Sequence, residues 1–264
     1  MAGREATILA TQTRYALLTA RRNPRVLVFG MVFPAVLLIL FGSIFSSGTT
    51  HTERLGAGRI DTHAYFTAGL MAYAIMLQAF TQVAISVTTQ RESGQLKRLR
   101  GTPMPAWTFM AAQVLRVLAF TVFMVALLLA IGVVAFGVKV PGAGVVGLVV
   151  YVALGTAAMV TLGLAASVLF NNADTAASAA PFFAVMLSFI SGVFISINLL
   201  PGWLASIGRV FPLAHLADGL QRSLVTGGGT GLTSANVAVL AAWGLGGLVF
   251  AVRRFGWEPQ GSGG

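Results

Sequence analysis

The sequence contains no cysteine, which excludes disulfides, a thiolate nucleophile and thiolate metal ligation, and leaves redox compartment unread. Charge is equally scarce. Only 9% of the 264 residues are Asp, Glu, Lys or Arg, against roughly 25% in a soluble domain. Lysine occurs only at Lys97, after Leu96, and Lys139, after Val138. A phosphate-cradling G-x-x-x-x-G-K-[ST] loop is therefore impossible, and the chain does not hydrolyse ATP by that route. Acids are few and badly placed for proton coupling within a membrane: Glu53, Asp61, Glu92 and Asp174 fall in loops, and Asp218 lies in a broken stretch near the last apolar run.

What is present is apolar. Hydrophobic residues make up 56% of the chain and the mean hydropathy is +0.85. Uncharged runs of about 20 residues can cross a bilayer as helices; the shorter, alternating segments of a membrane barrel are missing. The expected fold is an all-α integral membrane bundle of six transmembrane helices. They are placed at about Val26–Phe45, Ala64–Val87, Trp107–Phe136, Val145–Phe170, Thr175–Ile197 and Ser234–Val252. Pro34 is tolerated in the first because neighbouring helices can satisfy a freed carbonyl. A loop is expected over Ser46–His63, and a tight turn at Lys139, Pro141, Gly142 and Gly144. Residues 1–25 read as a cytoplasmic interfacial helix, 26–255 as the transmembrane domain and 256–264 as a flexible cytoplasmic tail. The first span is too long for the apolar core of a cleaved signal.

Arg and Lys set the orientation. Of 17 such residues, Arg4, Arg14, Arg21, Arg22, Arg25, Arg91, Lys97, Arg98, Arg100, Arg253 and Arg254 share one side. Arg54, Arg59, Lys139, Arg209 and Arg222 take the other. The richer side is cytoplasmic by the positive-inside rule, so both termini are expected there. Because the basic residues cluster at the ends of apolar runs, they orient helices and do not indicate a nucleic-acid partner.

Asn198–Gly231 fits neither a loop nor a crossing. It is apolar, but Pro201, Gly202, Gly208 and Pro212 break it into pieces too short to span, and Arg209, Asp218 and Arg222 charge it. The reading is a pair of short re-entrant or interfacial helices on the outer face; a seventh crossing is the alternative, which would move Arg253 and Arg254 outside. Ser191 with His215 raises the further alternative of an intramembrane hydrolase, although Phe189 stands where a flanking glycine would be needed. Gly155, Gly163 and Ser167 in the fourth span, and Ala242 and Gly246 in the sixth, are expected at close helix approaches. Arg116, inside the third span, is expected to snorkel to the cytoplasmic interface or pair with a loop acid.

Charge crowds at one place, "QRESGQLKRLRGTPMP", Gln90–Pro105. Thr89–Arg100 can form a short surface helix ending before Pro103, with Leu96 and Leu99 as an apolar knob inside a rim of Glu92, Lys97, Arg98 and Arg100. A lipid anchor accounts for the bases. The acid fits a docking surface for a soluble protein better.

"ESGQLKRLRGTPMP", Glu92–Pro105, between the second and third of six helices, resembles the cytoplasmic coupling helix of type 2 ABC exporter permeases, especially the daunorubicin and multidrug-resistance branch. "FPLAHLADGLQRSL", Phe211–Leu224, resembles the same family's outer re-entrant segment, through Phe211, Pro212, His215, Asp218 and Arg222. The resemblance implies a non-enzymatic membrane subunit, a dimer with itself or a second permease chain, in the bacterial plasma membrane. It would work with two copies of a P-loop ATPase that binds ATP-Mg, and would itself hold no cofactor and no metal. Glu92, Gly94, Leu96, Lys97, Arg98, Leu99 and Arg100 would contact or shape the ATPase junction. A cavity at the dimer axis would be lined from helix two by Met71, Met76, Gln78, Phe80 and Gln82, and from helix five by Phe182, Phe183, Met186 and Phe189. Such an apolar, adaptable lining fits an amphipathic drug, antibiotic or lipid; export of a glycan or an ion is the alternative.

Overall fold

The computed structural model describes residues 24–46, 52–55, 58–95, 106–227 and 229–254. Helix α1, Pro24–Ser46, has Pro24 at its first position, where the missing N–H is no loss. A two-stranded antiparallel hairpin follows, β1 Thr52–Leu55 and β2 Gly58–Asp61, with Glu53 opposite Ile60 and Arg54 opposite Arg59. The loop expected over Ser46–His63 is thus partly strand. The hairpin is anchored where it meets the bundle. Ile60 is buried, and His63 stacks on Phe136 with ring centroids 5.3 Å apart while its Nε2 lies 3.2 Å from the Gly42 carbonyl.

Four long helices come next or later in the chain: α2 Thr62–Glu92, α3 Ala106–Phe136, α4 Gly144–Leu169 and α5 Ala173–Ile190. Two short ones, α6 Gly202–Val210 and α7 Pro212–Ser223, precede α8 Ser234–Arg254. Among the described residues, five helices (α2, α3, α4, α5 and α8) are long and apolar enough to cross a membrane. Helix α1 is 23 residues long, and its stretch Val32–Ile44 is apolar.

Helix α2 is the centre of the bundle. In its most apolar window 72% of the residues are buried, against 22% in α5 and α8. Every residue from Ala64 to Ile75 is buried, so the helix is apolar all round, as a helix surrounded by others must be. Its first half packs on α1, α3 and α7, and its second half on α4 and α5.

The helix is not uniform. Met76–Thr81 winds as a π-helical turn, closed by the Gln82 N–H donating to the Leu77 carbonyl. Such turns carry one extra residue and widen the backbone. Gly163 of α4 packs there: a Cβ at Gly163 would lie 2.7 Å from the Phe80 oxygen and 3.0 Å from that of Ala79.

Local signals end the other helices. Gly137, at φ +67°, closes α3 with its own N–H on Val133 O, the bond of an αL cap, and the Val138 N–H reaches back to Gly132 O. Asn172 Oδ1 accepts the Thr175 N–H at 2.8 Å and Asp174 sits in the first turn of α5, satisfying the positive end of that helix. The fifth span was expected to run to Ile197, but it stops at Ile190. Gly192 takes φ +78° and its carbonyl accepts from Tyr65 Oη at 2.6 Å and Gln221 Nε2 at 3.0 Å, so donors distant in sequence hold the turn open.

Two further corrections concern close approach. Ala242 and Gly246 do not meet a neighbouring helix: nothing lies within 4 Å of a Cβ built on Gly246, and Ala242 is exposed. Gly244 and Gly247 are the residues of α8 that face α4, against Ala158 and the Thr161–Leu162 backbone. The small-residue composition was read correctly and its helical face was not. Gly155 and Gly163 do sit at contacts, with Leu216 and the π turn. The Ser167 hydroxyl bonds within its own helix to Leu164 O at 2.7 Å.

Candidate functional site

The short helices form a polar cavity on the bundle. Both are amphipathic pieces separated by Phe211 and restarted by Pro212 at the first position of α7. Helix α7 does not lie on a surface. Its Leu216, Ala217 and Leu220 are fully buried against α2, α4 and α8. Its other face, together with α6, the Ser191–Asn198 turn and the start of α8, encloses about 310 Å³. Tyr65, Ser191, Arg209, His215, Asp218, Gln221, Arg222 and Asn236 are among the lining residues.

A chain of hydrogen bonds organises this lining. Arg222 Nε donates to Asp218 Oδ2 at 2.6 Å, one helical turn away, and this bond raises the Arg222 pKa above the usual arginine value. Asn236 Nδ2 donates to the same oxygen at 2.7 Å. His215 Nδ1 lies 2.8 Å from Asn236 Oδ1, and its Nε2 lies 2.9 Å from the Arg209 carbonyl. Three helices are tied in this way: α6 through Arg209, α7 through His215 and Asp218, α8 through Asn236. Trp243 of α8 adds a bond from Nε1 to the Val210 carbonyl at 2.9 Å and stacks on Phe211.

Of the residues expected in the outer segment, His215, Asp218 and Arg222 line the cavity, while Phe211 packs on Trp243 and Pro212 starts the helix. Tyr65, Gln221 and Asn236 were missed. The available signal was weak: one amide at the head of an otherwise apolar span, and a tyrosine at the head of another. The hydrolase alternative finds no dyad. Both nitrogens of His215 are engaged, and the buried Ser191 hydroxyl has no hydrogen-bond partner.

At the far end of α2 lies a second polar junction. The expected helix Thr89–Arg100 is not one unit: Thr89–Glu92 form the last turn of α2, which ends where Gly94 takes φ +70°. A β-carbon is disfavoured in that conformation. Arg91, buried at 4% exposure, donates through Nη2 to the Phe170 carbonyl. Glu92 Oε2 accepts the Ala173 N–H at 2.7 Å. The end of α2 is thereby fastened to the α4–α5 turn, and a carboxylate sits at the positive end of α5. Leu96, Lys97, Arg98, Leu99 and Arg100 lie outside the described residues, as do residues 1–23 and 255–264.

The residues expected to line a cavity from helices two and five separate into two groups. Met71 and Met76 are buried within the chain's own core, and Gln78, Phe80 and Gln82 are half-buried around the π turn. Phe182, Phe183, Met186 and Phe189 are exposed, at 45–64%, on the outward face of α5. Within one chain they are not brought together.

The model of the ABC-2 type transporter family matches residues 8–225. Among curated proteins, the probable multidrug ABC transporter permease YbhR of Escherichia coli K12 is 24% identical over 160 residues, covering 60% of this chain and 43% of the relative. The same permease from Escherichia coli O157:H7 matches to the same extent. The alignment thus spans less than half the length of these relatives.

Proposed function

We infer the activity from one premise: the chain belongs to the ABC-2 type transporter family and is a multi-pass membrane subunit of a transporter. On that premise we propose that it is the permease of an ATP-driven exporter of amphipathic molecules in the bacterial plasma membrane, paired with a second permease chain and two copies of a P-loop ATPase. The observation that carries the reading is the family match over most of a chain whose two lysines exclude a phosphate loop of its own. ATP-Mg would be held by the ATPase.

The α2 terminus supports a route for coupling. Glu92–Arg100 would enter the ATPase, and a shift of that segment would reach α5 through Glu92 on Ala173 and the end of α4 through Arg91 on Phe170. The exposed apolar face of α5 supports a cargo path or permease contact there. Six crossings, with α1 as the first and both termini cytoplasmic, follow from the distribution of Arg and Lys.

Co-expression with the ATPase tests the assignment. The ATPase should co-purify with the chain, and vesicles containing both should move an amphipathic dye only with ATP. Glu92→Lys removes the acceptor for Ala173 and places a cation at the positive end of α5. It should cost about 1 kcal/mol of local stability and lower ATPase recovery and transport, whereas Glu92→Gln should retain most of both. Unchanged recovery and transport in Glu92→Lys would leave the segment as a lipid anchor. For orientation, Ser93→Cys should resist an impermeant thiol reagent on intact cells and Thr230→Cys should react; labelling at position 93 would reverse the topology.

A further inference from the structure

Hydrogen-bond direction fixes the charge of the cavity. Asn236 Nδ2 points to the Asp218 carboxylate, so Oδ1, an acceptor, is the atom that faces His215 Nδ1 at 2.8 Å. The atom facing Nε2 is the Arg209 carbonyl, again an acceptor, at 2.9 Å. A neutral imidazole has one N–H and can satisfy only one of them; the imidazolium satisfies both. Turning the Asn236 amide over would let a neutral imidazole satisfy both neighbours, but only by setting the amide oxygen 2.7 Å from the Asp218 carboxylate oxygen, where two acceptors repel.

With His215 cationic, the cavity has three positive groups, His215, Arg209 and Arg222, against the single carboxylate of Asp218, an excess of two. Arg222 meets Asp218 through Nε, leaving its terminal N–H groups for another acceptor. Arg209 lines the cavity with an exposed guanidinium. Ser191 lines it with a buried hydroxyl that lacks a partner, and an unpaired buried hydroxyl carries a cost that a bound acceptor removes. The surrounding elements add no compensating acid: α2 contributes Tyr65 and α4 Tyr151, while α5's end and α8 contribute the uncharged Ser191 and Asn236.

We propose that this cavity binds an oxyanion, a phosphate-, sulfate- or carboxylate-type group carried by an amphipath or free in solution. Guanidinium N–H groups converging with a hydroxyl on one concave site are the chemistry that holds such groups, and the 310 Å³ volume admits a headgroup while excluding a long chain.

Purified chain in nonionic detergent, without ATPase or ATP, tests this, so failure leaves the transport reading untouched. The probes are a lysophosphatidylglycerol, whose phosphodiester keeps one negative charge, the monoacylglycerol with the same acyl chain, and inorganic sulfate. Lysophosphatidylglycerol should bind about tenfold more tightly than the monoacylglycerol. Arg209→Gln, at an exposed side chain, should weaken that binding about tenfold with no change in melting temperature. Sulfate displacing the lipid with the same Arg209 dependence identifies a site for free anions; displacement by lipid alone identifies a headgroup site. Equal affinity for the two lipids, or Arg209→Gln binding like the parent, overturns the proposal.

Discussion

Gly147→Val should unfold the docking of the outer segment and lower the melting temperature of the purified chain by roughly 10 °C. A β-carbon at Gly147 would lie 1.9 Å from the Thr230 oxygen and 2.4 Å from the Ser223 hydroxyl, inside any permitted contact. The obstructing atom is backbone, and its loop cannot simply retreat. Tyr151, one turn further along α4, accepts the Thr233 N–H at 3.0 Å and holds the 230–233 strand of chain against the helix. Overpacking of this kind costs about 3 kcal/mol, which in a chain of this size corresponds to roughly 10 °C. The same arrangement recurs at Gly144 against Ser223 O, Gly208 against Ile190 O and Gly69 against Val193 O. Glycine is thus how the 191–231 region is seated on the bundle. Gly246→Ala is the control, because open space surrounds it; it should be neutral or gain up to about 1 kcal/mol from helix propensity. A Gly147→Val protein that melts within about 2 °C of the parent would show that the loop yields, contrary to this account.

Met76→Ala and Phe182→Ala should fail in different ways, and the contrast separates core from cargo path. Met76 is 2% exposed at the start of the π turn, so truncation leaves a cavity and should cost about 2–5 kcal/mol of stability. Phe182 is 64% exposed on α5; its truncation should change stability by no more than about 0.5 kcal/mol. If the α5 face meets cargo, Phe182→Ala should shift half-saturation of cargo-stimulated ATP hydrolysis about tenfold to higher concentration, with basal hydrolysis and melting unchanged. Thermal melts and ATPase assays on the same reconstituted complexes read both. A Met76→Ala variant with parental melting and a shifted cargo response would return Met76 to the cargo path. Parental cargo response in Phe182→Ala would remove the α5 face from it.

Helix-level organisation was legible because its causes are local. Hydropathy placed five of the apolar helices within a few residues of where they lie, and the turn signal of Pro141, Gly142 and Gly144 fell between α3 and α4. The broken composition of Asn198–Gly231 announced two short helices, and two lysines in the wrong context excluded a phosphate loop of the P-loop type. Helical face was less legible. In α8, Gly244 and Gly247 face α4 and Gly246 does not, because only the neighbour's position distinguishes small residues this close in sequence.

By itself, then, the sequence determined a helical membrane protein with no phosphate loop in these residues, most of its span positions and its charged segment at Gln90–Pro105, since length, hydropathy and missing residue types act without reference to distant chain. The tertiary structure alone decided where α5 ends, that α2 contains a π turn, and that a charged cavity exists. Those features depend on bonds between residues far apart: Tyr65 to Gly192 across 127 positions, Arg91 to Phe170 across 79, His215 to Asn236 across 21. No local propensity encodes such pairs, because each partner is an ordinary polar residue until folding removes water from around it and leaves the other as its available bond.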